Sequence, residues 1–363
     1  MKDESLIYSF MSQALSLAVK GLCKTKPNPY VGCVIVQGSN IVGQGYHSKA
    51  GGRHAEIIAL EEAGDLSRNA DLYVTLEPCA HYGKTPPCIK SIVSAGIKRV
   101  FIAMEDPNPL VRGKGISILR ENNIEVITGI LLEQATEINL GFISRMTLSR
   151  PYIRSKIAAS IDGRTSLASG ESQWISSEDS RRDVQAWRDR ACAILTGVGT
   201  VNYDNPNLTV RHVSSKQQPL RIILDSNLSI NLNSKILTQE NILLVYGRDP
   251  KNKLKSLIDS KVNTLCLPLH KKKINLYKLM EYLAEIEIND LWVEAGPDLN
   301  GSMLELNLID ELITYIAPIL LGGNANPMFN NPILKSIENK IHLKLHDVRS
   351  IGCDLRIQSR VIR

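Results

Sequence analysis

The sequence predicts an α/β protein of two domains, and three observations carry that expectation. The chain is 363 residues long, where a single domain is ordinarily about 100–200 residues. Short apolar runs alternate with segments of helical period, the pattern of layered α/β folds. The composition shifts between Leu140 and Arg150, and Ser149-Arg150-Pro151 breaks the chain, so the domains are expected at 1–148 and 149–363.

The elements follow in order. Leu6, Ile7, Phe10, Met11, Ala14 and Ala18 recur at helical steps and predict an amphipathic first helix. Pro27-Asn28-Pro29 cannot lie inside a helix and makes a rigid loop. Val31–Val36 and Ile41–Tyr46, separated by Gly38-Ser39, read as a hairpin. A helix is expected over Ala55–Ala63, ended by Gly64, then a strand at Leu72–Leu76. A short helix at Ile89–Ala95 stops at Gly96. Val100–Met104 and Ile124–Thr128 read as strands around a helix at Lys114–Asn122.

The second half restarts with a strand at Ile153–Ala159 and an Asp162-Gly163 turn. A charged helix covers Glu178–Arg190. Strands are expected at Ala193–Thr196, Arg221–Asp225, Ile242–Tyr246 and Leu291–Glu294. Leu276, Leu279, Met280 and Leu283 share one face of a helix before the last of these. Leu312–Ala317 and Cys353–Gln358 read as late strands, and the lysine-rich Lys251–Lys273 as a solvated face with loops.

Composition narrows the class of function. A hydrophobic content of 43% with 22% charged residues is that of an ordinary globular protein. The net charge of +6 suits a phosphorylated small molecule and is too diffuse to argue for nucleic acid. Seven scattered cysteines fit a reducing compartment and metal ligation better than a disulfide framework. The first ten residues do not read as a signal peptide, and no apolar run approaches the roughly 18 residues of a membrane span. The expectation is a cytoplasmic protein without a membrane partner.

The chemistry concentrates in Arg53-His54-Ala55-Glu56 and Glu77-Pro78-Cys79, answered by Cys88 after an eight-residue spacer. Zinc accepts N and S donors tetrahedrally, and a catalytic site keeps one position for water. His54, Cys79 and Cys88 supply three donors, and Glu56 is placed to carry protons. This is the H-x-E…P-C signature of nucleobase deaminases, with a spacer longer than the usual two residues. Two residues apart, His54 and Glu56 diverge in mid-helix and converge only where a helix starts, as Gly51-Gly52 implies. Pro78 and Pro87 place each cysteine at an expected helix start, which favours thiolate. The remaining cysteines read as small hydrophobes.

Other residues have a bland reading beside the functional one. Asn28 and His47 flank the zinc segment and are candidates for substrate contact. Asp106-Pro107-Asn108-Pro109 follows a strand end, where ligands bind in open α/β sheets, but it is equally an ordinary turn. Glu294-Ala295-Gly296-Pro297 leaves a strand and opens a helix, a place for pyrophosphate, and Gly197-Val198-Gly199 is a second such junction. Arg188 and Arg211 can bind phosphate bidentately, although lone arginines are commonly solvated.

The long form Pro78-Cys79-Ala80-His81-Tyr82-Gly83-Lys84-Thr85-Pro86-Pro87-Cys88 is far more specific than the short signature. Together with Pro27–Cys33, Gly52–Glu56 and Asp106–Pro109, it closely resembles the bifunctional riboflavin-biosynthesis deaminase/reductase family. The resemblance continues through Lys156–Thr165, Ser169–Ile175 and Trp292–Pro297, so it covers essentially the full chain. The sequence departs from the family at Ala80, where serine is common, and at Arg53, where proline is common.

The resemblance implies a cytidine-deaminase-like α/β/α sandwich followed by a dihydrofolate-reductase-like α/β domain. The first would use Zn2+ to deaminate 2,5-diamino-6-(ribosylamino)pyrimidinone 5′-phosphate, and the second NADPH to reduce its ribosyl group to ribityl. It places NADP contacts on Ala158, Trp174, Thr200, Asp204, Ser226 and Gly296. Substrate contacts fall on Ser172, Arg188, Leu208, Arg211 and Glu294, with Lys84 in the spacer as a recognition cation and Lys156 as either a proton donor or a polar contact. Self-association to a homo-oligomer is a further expectation. Two rivals remain at this point: another zinc nucleobase or tRNA deaminase with an accessory domain, and a non-enzymatic ligand-binding protein. The first predicts the short spacer and a basic stripe with exposed aromatics, whereas aromatics are only 5% of the chain.

Overall fold

In this computed structural model residues 4–80, 86–109, 111–211, 217–330 and 336–363 are described, and the chain divides into two units, Met1–Ser149 and Arg150–Arg363. The first unit contains α1 (Glu4–Val19), β1 (Gly32–Gln37), β2 (Asn40–Tyr46), α2 (Ala55–Ala63), β3 (Asp71–Val74) and α3 (Cys88–Ser94). It continues with β4 (Arg99–Ile102), α4 (Lys114–Glu121), β5 (Glu125–Thr128), α5 (Leu132–Ile138) and α6 (Leu140–Leu148). The sheet order is β2-β1-β3-β4-β5, antiparallel through β2-β1-β3 and parallel from β3 onward.

Strand alternation sorts the two faces of this sheet. Cys33 and Ile35 of β1 join α2, α3 and α4 in one core, while Val34 and Val36 join α1, α5 and α6 in the other. Small residues decide how closely the helices approach. A Cβ at Gly43 or Gly45 would lie 2.2 or 2.4 Å from the carbonyl oxygens of Ala59 and Ala55 on α2. The helix meets those glycines with Ala55, Ala59 and Ala63, one residue per turn. That contact fixes where α2 begins, and with it His54.

The second unit contains β6 (Tyr152–Ser160), β7 (Arg164–Ser166), α7 (Glu178–Arg190), β8 (Ala193–Gly197), α8 (Val198–Asp204), β9 (Leu220–Asp225) and β10 (Ile242–Tyr246). After these come α9 (Leu254–Asp259), β11 (Asn263–Cys266), β12 (Leu269–His270), β13 (Lys273–Ile274), α10 (Leu276–Glu285) and β14 (Asp290–Glu294). The last elements are α11 (Pro297–Glu305), β15 (Glu311–Ala317), β16 (Asn326–Pro327), β17 (Leu343–Ile351) and β18 (Asp354–Val361).

Its main sheet has the order β11-β10-β9-β8-β14-β6-β15-β18-β17, parallel from β11 to β15 and antiparallel over the last two strands. Helices α10 and α11 cover one face and α7, α8 and α9 the other. At the amino ends of the central strands, buried Arg154 bridges Asp290 at 2.6 Å and Glu311 at 2.7 Å. The carboxyl ends are left for ligands.

Both units are α/β as expected, with differences in detail. Cys88 does open α3, but Cys79 lies in a loop and not at a helix start. The stretch Lys251–Lys273 is structured, holding α9, β11 and β12 where loops were expected. Helices α5, α6 and α8 and strand β17 are additional. Cys266 and Cys353 are exposed, against the reading of small buried hydrophobes, and all seven cysteines are free thiols. Among the described residues no helix is long and apolar enough to cross a membrane.

Candidate active sites

The first site is assembled at the start of α2 and at the carboxyl end of β3. His54 is the N-cap of α2 with extended backbone (φ −73°, ψ 160°), so its ring and the Glu56 side chain are freed from the divergence of mid-helix positions. His54 Nδ1 lies 3.1 Å from Cys88 Sγ and 3.6 Å from Cys79 Sγ, and the three ligand atoms lie within 4.8 Å of one another. Tetrahedral zinc with ordinary Zn–N and Zn–S bonds places such donors about 3.6 Å apart, so the donor set fits that ion. Cys79 Sγ also accepts the Cys88 backbone N–H, the first of α3, at 3.3 Å.

Electrostatics favour a charged sulfur here. The hydrogen bond from the Cys88 thiol, opposed by burial and joined by His54, holds Cys79 well below the usual thiol range. The same hydrogen bond pushes Cys88 far up. His54 is raised, first by its bond to Cys79. Glu56 is 4% exposed, and its pKa is raised by burial and by the neighbouring Cys79 charge.

Asn28 and His47 do come together beside this cluster. Asn28 Nδ2 donates to His47 Nε2 at 3.0 Å, and His47 Nδ1–H donates to the Arg53 carbonyl at 3.1 Å, which fixes the neutral tautomer. Burial lowers the His47 pKa. Its ring stands edge-on to His54 with centroids 5.5 Å apart. Lys84 lies outside the described residues.

Sequence reasoning missed the part played by Glu77. Its buried carboxylate accepts backbone N–H from Asp106 (3.1 Å), Gly113 (3.0 Å), Gly115 (2.8 Å) and Ile116 (3.3 Å). It therefore ties the Cys79 segment to the Asp106 loop and the start of α4. The available signal was a carboxylate directly after an apolar strand, which needs buried donors.

The second site lies on the carboxyl ends of the parallel strands in the other unit. Glu294 ends β14 in register with Lys156 on β6. Its carboxylate accepts Arg188 Nε and a terminal nitrogen at 2.6 and 2.8 Å, and Trp292 Nε1–H at 2.8 Å. Burial works against its charge, but Arg188, Lys156 and these hydrogen bonds hold it down to about 2. Burial lowers the Lys156 pKa, with Glu294 and Asp204 pulling it back up. Asp204, at the end of α8, is raised by burial and accepts Ser172 Oγ–H at 3.3 Å.

Arg188 is only 8% exposed and also donates to the Thr209 carbonyl at 2.9 Å. Its guanidinium is committed to Glu294, whereas the Arg211 side chain is exposed and its backbone N–H is held by Gln185 at 2.8 Å. Leu208 has left-handed backbone (φ 51°) and buries its side chain in the core, so its backbone is what can face a ligand. Trp174 is 68% exposed with the Arg181 guanidinium 4.5 Å from its ring. Thr200 lies in α8, Ser226 follows β9, Gly296 caps α11 and Ala158 lies on β6, all at or toward the same end of the sheet.

Comparisons with known proteins agree with both halves. Residues 5–104 match the cytidine and deoxycytidylate deaminase zinc-binding region, and residues 151–357 match the RibD C-terminal domain. The riboflavin biosynthesis protein RibD of Escherichia coli K12 is 43% identical over 98% of each chain. That of Aquifex aeolicus is 43% identical over 96% of this chain and 97% of its own. The structure of Acinetobacter baumannii RibD superposes with a TM-score of 0.92 at 41% identity, covering 99% of this chain and 100% of that one. The deaminase/reductase of Thermotoga maritima gives 0.87 at 31% identity over 99% of each. The chain thus belongs to the RibD family, the bifunctional riboflavin-biosynthesis enzymes that join a zinc-dependent deaminase to an NADPH-dependent reductase.

Proposed function

We propose that the unit Met1–Ser149 carries the deamination and the unit Arg150–Arg363 the reduction, with the following division of roles. His54, Cys79 and Cys88 hold zinc. When bound, zinc supplies Lewis acidity that acidifies a coordinated water. Glu56 accepts a proton at its carboxylate and delivers it to the departing amine. Asn28 and His47, joined to each other, orient the diaminopyrimidine ring, and Lys84 recognises the same substrate from the loop between the cysteines. The observation that carries this reading is the convergence of one imidazole nitrogen and two sulfurs beside a buried carboxyl.

In the second unit NADPH supplies the hydride, and the protein orients it. Ala158, Trp174, Thr200, Asp204, Ser226 and Gly296 border the dinucleotide. Ser172, Arg211, Glu294 and the Leu208 backbone face the sugar phosphate, while Arg188 acts by holding Glu294 ionised. Lys156 Nζ gives a proton to the opened sugar, and its burial favours that release. The free thiols support a reducing, cytoplasmic setting. Edge strand β17 exposes Leu343, Leu345 and Val348, which supports pairing with a second copy of the chain.

Metal analysis tests the ligand set. Cys88→Ser is expected to lose zinc and ammonia release together while NADPH oxidation on the deaminated substrate persists. Full zinc content in that variant would remove Cys88 from the ligand set.

A further inference from the structure

The carboxyl ends of β14, β8, β9 and β10 follow one another across the second sheet, with β6 beyond β14. Cβ atoms built on Gly199 and Gly296 would meet nothing within 4 Å, and one on Gly197 only a Leu299 methyl at 3.9 Å. Open space therefore borders the ends of β8 and β14, where backbone can be approached closely. On the opposite flank the loops that follow β6 and β15 are tied to each other. Ile161 N–H donates to the Ile319 carbonyl at 3.0 Å, and Leu321 and Gly322 N–H donate to the Asp162 carboxylate at 3.2 and 2.9 Å.

Among the described residues, the open space beside Lys156 and Glu294 continues toward β9 and β10, a direction in which a dinucleotide whose nicotinamide reaches those two residues can extend. Strands lie about 4.8 Å apart, so β10 is roughly 19 Å from β6, the scale of an extended dinucleotide. At that distance Arg248 follows β10. Its backbone N–H donates to the Ser226 carbonyl at 3.1 Å, and its Nε donates to Asn227 Oδ1 at 2.7 Å. The adjacent carboxylate of Asp249 is turned to the start of α9, accepting N–H from Lys253 and Leu254 at 2.9 and 2.8 Å. Among the described residues no acid pairs with Arg248, and its terminal nitrogens stay open to an anion. Ser226 is itself placed by the Ile274 N–H at 3.3 Å, which brings Lys273 to the same edge.

We propose that Arg248, oriented by Asn227, reads the 2′-phosphate of NADPH and is the residue that separates NADPH from NADH. A planar guanidinium held at Nε presents its remaining N–H groups as a fork that matches phosphate. The assignment rests on the dinucleotide site proposed above.

Titrating the full-length protein with NADPH and NADH, following nicotinamide fluorescence, tests it without turnover. Arg248→Gln is expected to weaken the NADPH Kd by roughly 10- to 100-fold while the NADH Kd moves less than about twofold. Arg248→Lys falls between wild type and Arg248→Gln, since lysine keeps the charge without the fork. An unchanged NADPH Kd in Arg248→Gln, or an equal loss for both dinucleotides, overturns the assignment. Wild-type protein that binds neither dinucleotide overturns the site itself and the assignment with it.

Discussion

Glu56, buried, and Glu294, half-buried, show how two carboxyls in one chain are tuned in opposite directions. Glu56 has burial and a thiolate neighbour, which raise its pKa. Glu56→Gln is expected to keep zinc and lower deamination by at least about 100-fold, the usual worth of a general acid–base group. Reductase activity in that variant should be unchanged, and near-normal ammonia release would show that Glu56 carries no proton. Glu294 has a guanidinium, and its pKa falls from an ordinary 4.5 to about 2. A depressed folded pKa gives stability that is complete above the ordinary value and lost as pH falls toward the folded one. The advantage of wild type over Glu294→Gln, measured by urea unfolding of the reductase unit, is therefore expected to shrink between pH 4.5 and pH 2. Its upper bound is about 3 kcal/mol. A difference independent of pH would contradict the ionised pair.

At the scale of elements, the zinc site depends on how closely α2 lies on β2. Gly45→Val puts side-chain atoms where the Ala55 carbonyl stands 2.4 Å from a built Cβ. Overpacking of this kind costs about 1–3 kcal/mol. Thermal unfolding of the deaminase unit is expected at lower temperature, with reduced zinc occupancy, because the displaced helix start carries His54. Unchanged stability and zinc content would show that the contact does not set the ligand geometry.

Much of this element was readable in the sequence. Gly51-Gly52 ahead of His-x-Glu implied a helix start, and Gly64 implied its end. Cys79 was misplaced because a proline before a cysteine marks a loop as readily as a helix start; here the first N–H of α3 reaches its sulfur from nine residues on. Strand β17 was missed because most of its residues are exposed and only pairing with β18 makes them a strand. Helix α8 was missed because Gly199 and two valines weaken its local preference, and packing of Val201 into the core decides it. The Arg188–Glu294 pair joins residues 106 apart, which no local pattern reveals. Without it, both arginines looked equally suited to phosphate.

At the scale of the whole molecule, the two sites share a logic and no side chains. Each lies at carboxyl ends of parallel strands, with its chemistry supplied by a bound group. Each unit has its own sheet and its own cores. On the proposed roles, one chain performs two ordered steps on one phosphorylated pyrimidine. The most direct measurement supplies the zinc-loaded full-length protein with the diaminopyrimidine phosphate and NADPH, and follows ammonia and NADPH together. Ammonia is expected to appear first and without need of NADPH, with NADPH oxidation following mole for mole. Oxidation of NADPH with no ammonia released, or ammonia release never followed by oxidation, would contradict two ordered steps on one chain.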